Sequence, residues 1–261
     1  MRSPTILLSC GLGGCASPEA APAELEAVAQ SLFRDFEDPE ALPDLLEELT
    51  RLLADTELEG SDEVRSRTLT PLTLEDVGET ALEGLDPSDC IAVSLTYQSA
   101  WSPMDHSSYQ VLEDLSVLGT ASSYARSFLE PADPACFPEQ QCELLRTDND
   151  ILRENLLLSL DYTMRKDYRW VEIDAGMVMV ERGWLSESAH GASGNNHLWQ
   201  SFELEVWLPS SAGAVRFFVS YADAEYAGVS DDLGASLTLS GAQSAMEAAD
   251  AYLDAERTAG E

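Results

Sequence analysis

The sequence is poor in positive charge. Lys166 is its only lysine, and its 14 lysine and arginine residues stand against 48 aspartate and glutamate residues, which gives a formal net charge of −34. Such a field repels the phosphate backbone of nucleic acids and opposes attachment to anionic lipid through a basic patch. The acidic residues are dispersed, as is typical of a solvated surface whose charges repel one another. The composition therefore argues against a nucleic-acid partner.

Recognisable catalytic motifs are missing as well. The chain contains no G-x-S-x-G, H-E-x-x-H, C-x-x-C or Walker motif, so we predict that it is not an enzyme and carries no cofactor. Its three histidines are His106, His190 and His197. The last two could share a metal ion across the loop between them, but the usual third and fourth ligands are not apparent. We predict no metal site.

The first 15 residues, MRSPTILLSCGLGGC, are far too short to span a bilayer, which needs about 20 apolar residues. They begin with Arg2, continue with a short apolar stretch and end in Leu12-Gly13-Gly14-Cys15. Those four residues resemble the lipobox of bacterial lipoproteins, in which the cysteine is diacylated and the preceding segment is cleaved off.

By that resemblance, residues 1–15 are a lipoprotein signal with Cys15 as the lipidation site, where palmitate is a typical acyl group. Residues 16–23 (ASPEAAPA) would then be a tether of small residues and prolines. Ala16 stands where lipoproteins of the inner membrane often carry aspartate. The resemblance therefore implies a protein of the cell envelope, anchored in the outer membrane.

Three of the five cysteines lie beyond this N-terminal segment. Cys136 and Cys142 flank a proline-containing turn, and in an oxidising compartment such a turn favours a disulfide between them. A zinc site would need further ligands nearby, and none is apparent. Cys90 is left unpaired, and we expect it to be buried and inert, with a reactive thiol as the alternative.

Two amphipathic helices are expected within residues 24–89. Leu25, Val28, Ala29, Leu32 and Phe33 recur at helical spacing before Pro39. A second stripe follows Pro43 and contains Leu45, Leu46, Leu49, Leu52 and Leu53. Residues 56–89 mix charge, glycine and proline, and we interpret them as a connector with little regular structure.

Residues 90–255 change to strand periodicity. Ile91, Val93, Leu95 and Tyr97 alternate with small or polar residues, as in a strand with one buried face. The alternation predicts an antiparallel meander of about six strands, including a hairpin around the Cys136–Cys142 turn. The other strand candidates are 156–162, 168–173, 176–185, 198–208 and 214–222.

A final amphipathic helix is expected after Ser240, which would cap it with Gln243 in a capping box. Its apolar stripe consists of Ala242, Ala245, Met246, Ala249, Tyr252 and Leu253. The helix is narrow and acidic, so it should pack on protein and not on a membrane. Residues 256–261 form a tail.

The fold class is therefore α+β: two N-terminal helices, an antiparallel sheet and a C-terminal helix. This order over residues 90–255 resembles the START-like, helix-grip arrangement, in which a curved sheet wraps a C-terminal helix around an apolar cavity. No residue motif carries the resemblance. In that family helices usually interrupt the sheet after its first strand, whereas here they precede it. A lipocalin-like barrel is the alternative.

Large apolar side chains occur on both faces of several expected strands, which indicates either layers on both sides or an apolar cavity. The candidate ligand-binding residues are Trp170, Met177, Met179, Trp184, Phe202, Trp207 and Phe217. We predict a non-enzymatic envelope lipoprotein that binds an apolar ligand, such as a lipid, between the sheet and the C-terminal helix. The alternative is a structural or assembly lipoprotein that holds a partner protein through its acidic face.

Overall fold

A computed structural model describes most of the chain beyond the N-terminal segment. The described residues are 19–54, 64–119, 121–154, 159–191, 194–226 and 228–260. Among them, no helix is both long enough and apolar enough to cross a membrane. The predicted signal and Cys15 lie outside the described residues, so their prediction stays open.

Five α-helices occur among the described residues: α1 (Ala23–Arg34), α2 (Leu42–Ala54), α3 (Leu74–Val77), α4 (Pro103–Ser107) and α5 (Asp231–Gly260). The two predicted N-terminal stripes form α1 and α2, and Pro43 lies in the first turn of α2, where its missing N–H leaves no hydrogen bond unmade. Leu32, Phe33, Leu46 and Leu49 are fully buried. Both helices are therefore held by packing of the predicted apolar stripes.

The described strands are β1 (Glu19–Ala20), β2 (Val64–Leu69), β3 (Ile91–Ser99), β4 (Ser123–Glu130), β5 (Leu144–Glu154), β6 (Ser159–Ile173), β7 (Gly176–Leu185), β8 (Ala189–His190), β9 (Asn196–Ser210) and β10 (Gly213–Tyr226). They form one sheet in the order β1-β2-β3-β10-β9-β7-β6-β5-β4, with β8 paired to β9. All pairs are antiparallel except the short β1–β2 pair. The sheet is open, with β1 and β4 at its ends, so the barrel alternative is wrong.

Helices cover both faces of the sheet. On the outer face, α1 and α2 pack on side chains such as Phe202, Val206 and Phe217. On the inner face, α5 packs on β3 through Met246 and its neighbours. Because strand side chains alternate between faces, these two layers explain the two-sided apolar pattern of β10, while Trp207 on the inner face of β9 packs in a cluster with Phe137.

The structure also places helical segments after β3, which the sequence did not predict. The short α4 and 3₁₀ turns at Ser108–Val111 and Ser116–Leu118 lie between β3 and β4. The chain thus has helices before the sheet and further short helices that interrupt it. The N-terminal pair occupies the face opposite α5.

Three expectations about elements were wrong in detail. The sheet has more strands than six, partly because the connector at 56–89 contributes β2 and α3. The segments 156–162 and 168–173 belong, in their described part, to one long strand, β6. The C-terminal helix begins at Asp231, so Ser240 lies inside it and is not its N-cap. At the true start, the Gly234 N–H donates to the Ser230 carbonyl at 2.8 Å.

Candidate ligand site between the sheet and the C-terminal helix

The second half of α5 is fixed to the inner face by Asp250. Ser99, the last residue of β3, donates from Oγ to Asp250 Oδ1 at 2.8 Å, and the Tyr97 hydroxyl donates to Oδ2 at 3.1 Å. Burial and the adjacent Asp250 raise the pKa of Tyr97 to about 12, so this hydroxyl stays a donor. Ala249 and Leu253 are buried beside Asp250. This half of the helix is therefore held by both polar and apolar contacts.

A buried histidine extends that anchor to α4. His106 Nε2 lies 2.9 Å from Ser99 Oγ, and its Nδ1 lies 3.1 Å from the Tyr109 hydroxyl. Since Ser99 donates its proton to Asp250, Nε2 must donate to Ser99, and Nδ1 must accept from Tyr109. Burial lowers the pKa of His106 well below its usual value, which agrees with a neutral ring.

Ser99, His106 and Asp250 do not form a nucleophilic triad. In a triad the carboxylate orients one ring nitrogen while the serine meets the other. Here both Ser99 and Asp250 lie on the Nε2 side, with Asp250 Oδ1 at 3.7 Å. Ser99 and His106 are also fully buried. The group therefore positions α4 and α5 on β3.

The first half of α5 covers a small pocket. Ile91, Val93 and Ala222 line it from β3 and β10, and Ala235 and Thr238 line it from the helix. Its volume is about 40 Å³. A site that buries a drug-sized ligand usually needs about 300–1,000 Å³. A preformed lipid-sized cavity is therefore not present at this position.

This half of α5 packs on the sheet through Ala235 and Leu239, which keep 9% and 8% of their surfaces exposed, against 1–5% for Met246, Ala249 and Leu253 in the other half. Leu233 and Leu237 point outward, with 47% and 42% of their surfaces exposed. Gly234 lies between them, and an internal helical glycine destabilises a helix by roughly 0.5–1 kcal/mol relative to alanine. The helix is thus anchored by hydrogen bonds at Asp250 and by apolar contacts where it covers the pocket.

The centre of the inner face is filled by buried charges. Lys166 Nζ lies 2.6 Å from Glu181 Oε1 and 3.0 Å from Glu203 Oε2. Arg216 donates to Glu205 Oε1 from Nε at 2.8 Å and from Nη2 at 2.6 Å. Three carboxylates thus share two cations within hydrogen-bonding distance, and the space where a lipid chain could lie is occupied by ion pairs.

These carboxylates ionise differently. Burial raises the pKa of Glu205 to about 7 although the adjacent Arg216 lowers it. The negative charge of Glu181, which is directly opposite Glu205 in the β7–β9 pair, also raises this pKa. Burial also opposes ionisation of Glu203, but Lys166 and Arg153 outweigh it and lower the pKa of this carboxyl. Glu205 therefore ionises at a higher pH than Glu203.

The predicted ligand-binding residues are divided between the two faces. Trp184, Phe202 and Phe217 pack in the outer-face core against the N-terminal helices. The other four, Trp170, Met177, Met179 and Trp207, form an inner-face cluster around Phe137, at a distance along the sheet from the pocket under α5. The structure does not bring the seven residues together, and a ligand-binding role for any of them stays a prediction.

The cysteine predictions agree with the structure. Cys136 and Cys142 are disulfide-bonded, with their Cα atoms 5.4 Å apart. Their loop places the buried Phe137 against Trp170, whose Nε1 donates to the Phe137 carbonyl at 2.8 Å. Cys90 is buried with a free thiol, and burial raises its pKa to about 12, which keeps it protonated and unreactive.

No protein-family model matches the chain, and neither does any curated protein sequence. Several solved structures are similar in fold. A STAR-related lipid transfer protein fragment from Xanthomonas axonopodis aligns with a TM-score of 0.47 at 8% identity, over 75% of this chain and 96% of that one. The human StarD13 (DLC2) lipid transfer and protein localization domain gives a TM-score of 0.41 at 11% identity, over 80% and 95%.

Human STARD10 gives a TM-score of 0.39 at 9% identity, over 81% of this chain and 82% of that one. All three TM-scores are below 0.5, so the likeness assigns neither a function nor a residue role. The packing of the sheet against the C-terminal helix is shown by this chain's own strand order and by the contacts of α5 with β3.

Proposed function

We propose that this chain is a non-enzymatic lipoprotein of the cell envelope that binds an apolar ligand between the first half of α5 and strands β3 and β10. The observation that carries the proposal is the contrast within one helix. Asp250 and its neighbours anchor the second half by hydrogen bonds, whereas the first half covers a largely apolar pocket and packs through the buried Ala235 and Leu239.

Binding requires the first half of α5 to move. A pocket of about 40 Å³ holds only a few water molecules, at 10–15 Å³ of such volume for each. An acyl chain or sterol therefore enters only when this half of the helix unwinds from the sheet, next to the anchored half. Leu233 and Leu237, which are exposed in the closed form, then become available to cover the ligand.

The ligand is expected to be uncharged. The net charge of −34 repels anions from the whole surface, and Asp231 lines the pocket itself. A free fatty acid would bring a carboxylate into this field. A sterol, a glyceride or another neutral apolar molecule would not, so neutral compounds are the favoured class.

A titration of the full chain with N-phenyl-1-naphthylamine tests this proposal. This uncharged probe becomes fluorescent in apolar surroundings, and neutral lipids should displace it. Ala235→Trp fills the pocket from the helix side and should weaken probe binding at least about tenfold, which is 1.4 kcal/mol. Ser244→Trp, at an exposed position of the same helix, is the matched control and should bind as the parent does.

Two results would count against the ligand site. Binding that is unchanged by Ala235→Trp would place the probe elsewhere on the protein. No binding of any uncharged apolar probe or lipid would remove the carrier function altogether. Ala235→Leu, a smaller filling, keeps the comparison informative if the tryptophan variant does not fold.

A specific observation also supports the second candidate, a partner-binding lipoprotein. The inner face is largely filled by side chains, and Leu233 and Leu237 lie exposed one helical turn apart. An apolar patch of this kind can dock a partner protein. If the probe does not bind, this function becomes the better explanation of the same two leucines.

The membrane anchor is part of the proposal and is supported by sequence alone. Leu12-Gly13-Gly14-Cys15 would attach the body through acyl chains on Cys15, and residues 16–23 would separate the body from the bilayer surface. The outer membrane is the proposed location. An anchored carrier would take its ligand from, or deliver it to, the membrane beside it.

A further inference from the structure

Two histidines meet on the exposed end of the sheet. His190 of β8 and His197 of β9 are direct partners in the antiparallel register. Their Nδ1 atoms lie 2.8 Å apart. Direct cross-strand partners project from the same side of a sheet, with Cβ atoms about 4.5–5.5 Å apart. The backbone ladder therefore fixes the two rings as neighbours, independently of the loop that joins the strands.

At least one of the two nitrogens at this contact has a free lone pair that can bind a metal. Only one of two nitrogens 2.8 Å apart can carry a proton directed at the other, so at least one Nδ1 presents a lone pair there. A metal ion that replaced the proton would bind both nitrogens at once. Imidazole nitrogen is a preferred ligand of Cu²⁺, Ni²⁺ and Zn²⁺.

The ions expected at this pair follow from its nitrogen donors. The 2.8 Å between the two Nδ1 atoms is an ordinary hydrogen-bond distance, so it does not set the angle at a metal. The affinity of a nitrogen site for divalent first-row ions rises through Ni²⁺ to Cu²⁺ and falls again at Zn²⁺. Cu²⁺ and Ni²⁺, which favour tetragonal geometry, are therefore the expected ions.

Trp199 supports this pair from its own strand. The His197 ring stacks on it with centroids 4.8 Å apart and planes 10° apart, and the His190 ring lies 5.4 Å away. Stacking restricts the orientation of His197, while the exposed His190 can turn about χ2 toward a shared ion. On the other side of His197, Glu225 is its direct partner on β10 and adds negative charge near a cation.

We propose that His190 and His197 form a two-histidine chelate for a tetragonal divalent transition-metal ion, Cu²⁺ or Ni²⁺, beside Trp199. The described residues contain no group of three or more His, Cys, Asp or Glu side chains placed to hold a metal, so water completes the coordination of this exposed site. The sequence-based prediction of no metal looked for three or four protein ligands. It considered this pair and rejected it for lack of further ligands, which a bidentate site completed by water does not need.

Titration of the metal-free full chain with CuCl₂ and NiCl₂, followed by tryptophan fluorescence, tests the proposal. Both ions quench an indole they approach, and Trp199 is one of five tryptophans, so a partial and saturable loss of emission is expected. His190→Ala and His197→Ala should each weaken binding about a hundredfold, the lower range of the gain from joining two binding groups. Trp199→Phe should remove the quenching but keep the binding seen by equilibrium dialysis.

Hard cations are the control for metal binding by carboxylates of the acidic surface. Ca²⁺ and Mg²⁺ prefer oxygen ligands, so an excess of either should not displace Cu²⁺ or Ni²⁺ from the pair. The proposal is overturned if both alanine variants are quenched like the parent, or if Ca²⁺ and Mg²⁺ compete. Either result would assign the metal to surface carboxylates.

Discussion

Ser99 of β3 donates a hydrogen bond to Asp250 of α5 at 2.8 Å, and this bond divides the C-terminal helix into two functional halves. Around it, α5 is held by the buried Met246, Ala249 and Leu253. Toward its start, the helix covers the pocket with Ala235 and Leu239 buried and Leu233 and Leu237 exposed. We propose that the same helix is an anchor around Asp250 and a movable cover toward its start.

Removing the carboxylate of Asp250, which anchors α5 on β3, should destabilise the fold. Asp250→Ala leaves the buried hydroxyls of Ser99 and Tyr97 without their acceptor, and an unpaired buried polar group costs about 1–3 kcal/mol. We expect a loss of about 2–3 kcal/mol in the free energy of urea unfolding. Glu247→Ala, an exposed acidic site on the same helix, should change it by less than about 0.5 kcal/mol. Equal effects of the two variants would show that Asp250 is not an anchor.

Stabilising the first half of α5, which covers the pocket, should weaken ligand binding. A Cβ at Gly234 would meet no atom within 4 Å, so Gly234→Ala should stabilise the helix by about 0.5–1 kcal/mol. Because binding needs the unwound form, the same energy should raise the apparent Kd of the naphthylamine probe by roughly two- to fivefold. Ala251→Gly, exposed in the anchored half, should lower stability without changing the Kd. Tighter binding by Gly234→Ala would contradict a moving cover.

Glu205 should give the folded state a recognisable pH dependence. Its pKa is raised to about 7 from an ordinary 4.5, so the folded protein keeps a proton that the unfolded chain releases. The stability that this group contributes is present below pH 4.5 and is lost as the pH rises through 7, by up to roughly 3 kcal/mol. Relative to Glu205→Gln, the parent should therefore lose stability between pH 5 and pH 8 in chemical denaturation.

Glu203 is the control, because its pKa is shifted in the opposite direction to that of Glu205. Its pKa is lowered in the folded state, so its contribution is present above its ordinary pKa and is lost as the pH falls. Relative to Glu203→Gln, the parent should gain stability as the pH rises from acid. Parallel pH profiles for the two glutamine variants would show that the buried carboxylates do not differ as described.

The proposed lipid anchor at Cys15, which rests on the sequence alone, can be tested independently. If Cys15 carries two or more acyl chains, each buried methylene contributes about 0.8 kcal/mol, which suffices for lasting attachment. Cys15→Ala should move the protein from the membrane fraction to the soluble fraction of the producing cells, and the acyl mass should disappear from the mature protein. Unchanged partitioning, or a parent protein without acyl groups, would remove the lipoprotein proposal while leaving the ligand site intact.

Periodicity predicted the elements whose packing is simple. The alternation of Ile91, Val93 and Leu95 predicted β3, and the two leucine-rich stripes predicted α1 and α2. Strand β6 was divided in the prediction because Arg165, Lys166 and Asp167 interrupt its apolar pattern. The structure shows that these charges face partners on both sides of the sheet, Lys166 on the inner face and Asp167 against Arg182 on the outer. No local pattern contains that information.

The start of α5 was missed for a similar reason. Gly234 and Ser240 are typical of a helix boundary. Ala235 and Leu239 nevertheless extend the apolar stripe of Met246 and Ala249, with spacings of four, seven and three residues along the helix. Tertiary packing of this longer stripe outweighs the local propensities. The pocket could not be predicted because it depends on where this half of the helix lies. Likewise, Glu205 could not be singled out among 48 acidic residues before its pairing was seen.

Hydrogen–deuterium exchange along α5, with and without saturating naphthylamine probe, tests the movable cover most directly. Local opening should let the amides of residues 231–241 exchange faster than those of 245–256 in the free protein. The probe should slow exchange in the first of these segments and in residues 91–95 of β3, with little change in the second. Equal exchange in both halves of the helix, or protection confined to α1 and α2, would contradict a ligand site beneath the first half of α5.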